Sequence, residues 1–190
     1  MKKLLLTLGT MALLPQMALA HPGHHEGSAF LSGVMHPMGG ADHVLAMVAV
    51  GLWAAVTGGR ALWALPLGFV GAMLAGGGLG ALGLALPGVE PMILASIVLI
   101  GVLAALAWRA PLLVGVGIVA AFGLFHGHAH GTEGPSSGLL IYTAGFGLAT
   151  MALHAAGLGL GLALNALSAR GATRALGAGT ALAGLAMAFA

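Results

Sequence analysis

The chain has 190 residues, of which 59% are hydrophobic and only 5% charged, against about 25% charged in soluble domains. So few charges cannot keep a domain of this size in water, which excludes a soluble globular protein and requires much of the apolar surface to face lipid. Cysteine is absent, so disulfides, thiolate nucleophiles and thiolate metal ligands are excluded as well.

Residues 1–20 read as a cleavable export signal. Lys2 and Lys3 form a basic start, Leu4 to Leu14 an apolar run, and Ala18-Leu19-Ala20 a small-residue cleavage site. Cleavage would leave His21 first and a chain without lysine, in which Arg60, Arg109, Arg170 and Arg174 balance Glu26, Asp42, Glu90 and Glu133. A chain without lysine has no Walker A lysine and no Schiff-base lysine, which argues against ATP-driven pumping by this chain alone. The balanced charge leaves no nucleic-acid footprint.

The mature chain, 21–190, is expected to be one all-α membrane bundle. Residues 27–41 are too short and too broken by Gly and Pro to span, so they predict an outer-face or re-entrant segment. Apolar stretches of spanning length follow at about 42–58, 61–83, 90–108, 111–129, 137–164 and 171–189, separated by Gly, Pro and Arg. With His21 outside, six spans put all four arginines in cytoplasmic turns, as the positive-inside rule requires. The four acids then fall on the outer side, with both termini periplasmic. Gly68, Ala72, Gly76 and Gly80 recur every four residues and predict a close helix–helix seam.

Nine histidines are present, and none lies on the cytoplasmic side of this layout. His36-Pro-Met-Gly-Gly-Ala-Asp42-His43 breaks the helix and then starts the first span, so Asp42 is either its N-cap or an oxygen ligand beside two imidazoles. A cap needs no flanking histidine, which favours the ligand. In Phe125-His126-Gly-His128-Ala-His130-Gly-Thr-Glu133, a helix reaching this far would stack His126, His130 and Glu133 on one face and turn His128 away. Imidazole and carboxylate suit nickel, zinc, cobalt or copper(II). The opposing reading is a solvated His-rich loop, against which Gly127 and Gly131 argue, their spacing being that of close packing. Glu90 opens the third span; it is either an acid favoured by the helix macrodipole or a carboxylate kept near the membrane for function. His154 lies deep in the fifth span, as a packing histidine or a relay. His21, His24 and His25 read as a flexible scavenging arm outside the core site, and Met47 reads as packing.

These two motifs, extended as His36-Pro-x-x-Gly-x-Asp42-His43-x-Leu-Ala-Met-x-Ala-Val-Gly-Leu-Trp53 and Phe125-His-Gly-x-Ala-His130-Gly-x-Glu133, resemble the HupE/UreJ family of hydrogenase and urease accessory nickel permeases. The likeness covers almost the whole mature chain. It implies passive or gradient-driven nickel entry across the bacterial inner membrane, feeding NiFe hydrogenase or urease maturation proteins. It points to His36, Asp42, His43, Glu90, His130 and Glu133 as functional.

The resulting expectation is a permease, not an enzyme, with a divalent ion as cargo and no resident cofactor. His36, Asp42 and His43 would meet His130, Glu133 and His126 at the outer mouth. Cobalt or zinc could replace nickel, since affinities overlap and selectivity is geometric. Uptake should fall as external pH drops through roughly 6.5. The rival is a membrane accessory that delivers nickel to a maturation partner without conducting it. A rhomboid-like pairing of Ser137 with His154 fails because Ser137 carries ordinary turn chemistry, and haem ligation by His126 and His154 lacks a second pair.

Overall fold

The computed structural model describes residues 29–135 and 137–190. The signal segment 1–20, the His21/His24/His25 arm and Glu26 lie outside the described residues. Every regular element among the described residues is helical: α1 (Ala29–Met35), a 3-10 turn (His36–Met38), α2 (Ala41–Thr57), α3 (Ala61–Ala81), α4 (Val89–Ala105), α5 (Leu112–Glu133), α6 (Leu139–Ala166) and α7 (Arg170–Ala188). Helices α2 to α7 fall on the six apolar stretches of the sequence, and α1 with its turn falls on the short segment before them. Three helices, α3, α5 and α6, are long and apolar enough to cross a membrane, and a fourth crossing results if α1 and α2 are one broken span. Leu113, Leu140, Leu82 and Leu167 leave more than three-quarters of their surface exposed, as lipid-facing side chains would.

The break between α1 and α2 is an 81° bend. Pro37 occupies the start of the 3-10 turn, and Gly40 follows in an extended conformation with φ −112° and ψ 120° before α2 begins. Proline cannot donate a helical hydrogen bond, so the chain turns here. Gly40 has a second reason: a Cβ there would collide with the Asp42 carboxylate and the His43 ring.

Packing is pairwise. α3 lies against α5, α4 against α7, and α6 against both α1 and α2, while α2 also touches α3, α4 and α7. Glycines set the close approaches. A Cβ on Gly127 would run into the Met73 backbone, one on Gly131 into Gly77, and one on Gly76 into Leu124. The expected seam on α3 is therefore real at Gly76 and Gly80, and α5 answers it with its own glycines at four-residue spacing. Gly33 and Gly145 lock α1 onto α6 likewise, each leaving no room for a Cβ beside the other helix's backbone. Trp53, Leu65, Phe69, Met73 and Ile100 fill the buried centre.

Candidate metal centre

The bend and the glycine seams bring two distant segments to one end of the bundle. His36, Asp42, His43, Glu90, His130 and Glu133 all line one open cavity of about 570 Å³. Six of the seven candidate ligands therefore share a chamber. The seventh, His126, lies one helical turn below His130, fully buried, and does not line it.

Within the chamber, His36, His130 and Glu133 each offer a ligand atom within 4.8 Å of the others. His36 Nε2 stands 3.6 Å from Glu133 Oε2, too long for a hydrogen bond and close to the separation of two ligands on one ion with metal bonds of about 2.0–2.2 Å. The His36 and His130 rings meet edge-on with centroids 4.7 Å apart, and His43 approaches His130 at 4.6 Å. His130 is 4% exposed, yet neither of its ring nitrogens has a hydrogen-bond partner. Leaving a buried imidazole bare on both sides costs about 1–3 kcal/mol per group. A cation held by one nitrogen would remove part of that penalty.

Asp42 does not cap its helix. The N-cap position is Gly40, with no side-chain capping bond, and Asp42 Oδ1 instead lies 2.9 Å from His43 Nδ1. A carboxylate only accepts, so His43 donates from Nδ1 and its Nε2 keeps a lone pair, which is buried and unpartnered. This is the carboxylate–histidine pairing that orients a metal-binding imidazole and raises its basicity. Asp42 thus holds His43 through Oδ1 while also lining the chamber; the bond to His43 is a contact that the sequence reading of Asp42 did not foresee.

The same logic continues inward. Ser96 Oγ donates to the Ile93 carbonyl at 2.6 Å, so its single proton is used and it must accept from His126 Nε2, 3.0 Å away. His126 Nδ1 is left with an unpartnered lone pair. His154 Nδ1 donates to the Met47 carbonyl at 2.7 Å, which leaves its Nε2 bare. The His126 ring is 5.0 Å from His43, and the Phe69 ring packs against both His126 and His154, with centroids 5.3 and 5.1 Å away. Three imidazoles in descending order are each tied by one N–H and bare at the other nitrogen.

His128 does something else. Its Nε2 donates to the Leu84 carbonyl at 2.7 Å, fastening the loop after α3. Ser96, Tyr142 and Phe146 were not singled out from sequence. Tyr142 and Phe146 wall the site, with ring centroids 5.7 and 6.2 Å from His36, and Phe146 packs 4.1 Å from His130. Ser96 could have been found as the one hydroxyl of α4, where Glu90 is the only other polar side chain, and Tyr142 is the only tyrosine of the chain.

His36, on the 3-10 turn outside the helices, has its pKa lowered from the ordinary 6.5, chiefly by burial; the Glu133 charge opposes the shift and His43 adds to it. Burial thereby favours the neutral imidazole, the form that binds metal.

A family described as "HupE / UreJ protein" matches residues 9–187. "Protein HupE" of Rhizobium leguminosarum bv. viciae is 43% identical over 186 residues, covering 97% of this chain and 96% of the relative. No solved structure matches.

Proposed function

We propose that this chain, which belongs to the HupE/UreJ family, is a bacterial inner-membrane permease that takes up a divalent transition metal, with nickel the ion carried. The observation that carries this reading is the buried, doubly unpartnered His130 beneath an open chamber that also presents His36 and Glu133 within coordination reach. Two or three imidazoles and a carboxylate without thiolates bind a dication firmly enough to strip part of its water and weakly enough to release it. Glu90 and Glu133 add negative charge that draws cations to the mouth.

The bare nitrogens of His43, His126 and His154 supply successive contacts from the chamber towards the centre of the bundle, with Phe69 as the partition to be displaced. Asp42 holds His43 in the competent tautomer. The bundle would cross the membrane six times after signal removal. This topology is supported by charge: the acids gather at one end of α2 and three arginines at the other. The ion delivered inside would supply hydrogenase or urease maturation proteins.

The test is radioactive nickel accumulation by cells carrying His36→Ala or Glu133→Gln protein at normal membrane levels, followed by flux into proteoliposomes with cobalt and zinc as competitors. Loss of uptake in both variants supports the reading. Unchanged uptake overturns it, and metal binding without flux in the native protein would assign delivery to a partner in place of conduction.

A further inference from the structure

A second cavity lies at the opposite end of the bundle, and its chemistry is the inverse of the first. It measures about 70 Å³ and is lined by Arg109, Arg170, Arg174, Asn165 and Thr173 among smaller residues. Ala55 and Val56 also line it; they sit near the end of α2, about 20 Å along that helix from His43 at 1.5 Å per residue. No carboxylate lines this cavity, and among the described residues no ion pair involves an arginine.

We infer that this cavity binds a phosphate group. Two independent features of the chain are unfavourable without an anion there. First, guanidiniums from the loop before α5 (Arg109) and from the start of α7 (Arg170 and Arg174) line one hollow although like charges repel, and a topology signal alone requires arginines only somewhere in the turns. Second, α7 begins against its own dipole. Its N-cap, Ala169, makes no side-chain cap, its first turn has no acid, and it carries Arg170 and, one turn on, Arg174, where negative charge is favoured. A tetrahedral oxyanion would accept from the free N–H groups of that turn, from the guanidiniums and from the Thr173 hydroxyl.

The position of Arg109 is fixed rigidly enough to serve such a site. Trp53 Nε1 donates to the Trp108 carbonyl at 2.9 Å, and the two indoles stack at 6.2 Å. Arg174 Nε donates to the Ala105 carbonyl at 2.9 Å, which leaves its terminal nitrogens for a ligand. Leu106, Trp108 and Leu167 stand exposed around this end, an apolar rim beside a basic hollow, which suits the headgroup and chains of an anionic phospholipid. Inorganic phosphate offers the same oxygens without the chains.

The experiment uses the full-length protein purified in detergent, with phosphatidylglycerol and inorganic phosphate as separate probes, read by native mass spectrometry and by melting temperature. Arg109→Gln and Arg170→Gln should each weaken phosphatidylglycerol retention about fivefold. Arg60→Gln removes the same charge from a residue stacked 6.0 Å over Trp63, outside the cavity, and should retain lipid normally. Arg170→Lys, which keeps the charge, guards against a folding artefact and should recover most of the binding. Displacement of the lipid by millimolar phosphate, with stabilisation by phosphate alone and the same arginine dependence, supports the site with free phosphate as its source. Equal loss in Arg60→Gln, or no saturable binding of either probe, overturns the inference.

Discussion

His36 Nε2 lies 3.6 Å from Glu133 Oε2, although the whole of α2, α3, α4 and α5 separates them along the chain. The pair exists because the bend at Pro37 and Gly40 folds the 3-10 turn back over the end of α5, where the glycine seam has already drawn α5 against α3. Each side chain is partly open to the chamber, so the contact itself adds little stability. Its value lies in presenting a nitrogen and an oxygen to the same point.

If one ion occupies that point, His36→Ala and Glu133→Gln should each weaken nickel binding by the purified protein by about tenfold or more, since even partners one shell out from a metal contribute about 10–100-fold. The double variant should lose much less than the product of the two, because neighbours acting on one ligand are not additive. Isothermal titration of the four proteins measures this, and strict additivity would count against a shared ion.

The acid side of the pH profile should lie lower than free imidazole suggests. Burial lowers the His36 pKa from the ordinary 6.5, so at any given pH a larger share of this ring is neutral and metal-competent than of a free imidazole. The part of the acid loss of nickel affinity that comes from His36 should therefore begin at lower pH than for a free imidazole, with a limiting slope of about tenfold per unit for each histidine that must shed a proton to bind. In Glu133→Gln, which removes the charge holding the His36 pKa up, the decline should begin at still lower pH. A His36 ring titrating above 6.5, followed by NMR of the native protein, would contradict its burial.

Helix spacing should respond to a single methyl group. Gly127→Ala puts a Cβ into the Met73 backbone and is expected to cost about 1–3 kcal/mol, read as a lower melting temperature in detergent. Gly117→Ala, on the same helix with nothing within 4 Å of the added carbon, should be neutral or stabilising by about 0.5–1 kcal/mol.

His128→Ala should separate structure from transport. It removes the buried imidazole together with its bond to the carbonyl of the exposed Leu84 and should cost about 1 kcal/mol, while nickel affinity stays unchanged because His128 points away from the His126/His130 face. A drop in affinity equal to that of His36→Ala would show that this assignment is wrong.

His154→Leu should do the opposite. Removing the bare Nε2 leaves the outer chamber intact, so equilibrium nickel binding should persist while proteoliposome flux falls severalfold. Normal flux would place His154 in packing alone.

Much of this was legible along the chain. Apolar runs cut by Gly, Pro and Arg mark the helices α2 to α7, because a hydrocarbon environment imposes length and composition directly on each segment. The i, i+4, i+7 spacing of His126, His130 and Glu133 fixes their common face once α5 continues to Glu133. The glycines at 76 and 80 announce a close neighbour.

Sequence could not say which neighbour, or what each histidine would touch. Helices that are apolar all round carry no amphipathic stripe to show which side turns inward. The pairing of α3 with α5, the 81° fold-back that brings His36 over His130, and the Ser96 hydroxyl that sets the His126 tautomer are therefore products of packing alone. Asp42 makes the point at a single residue: its sequence admits an N-cap or a ligand, with the flanking histidines favouring the ligand, and only the structure shows it away from the N-cap with Oδ1 against His43 Nδ1. Local pattern determines which segments are helical and what chemistry they carry; side-chain partners depend on how those helices meet in three dimensions.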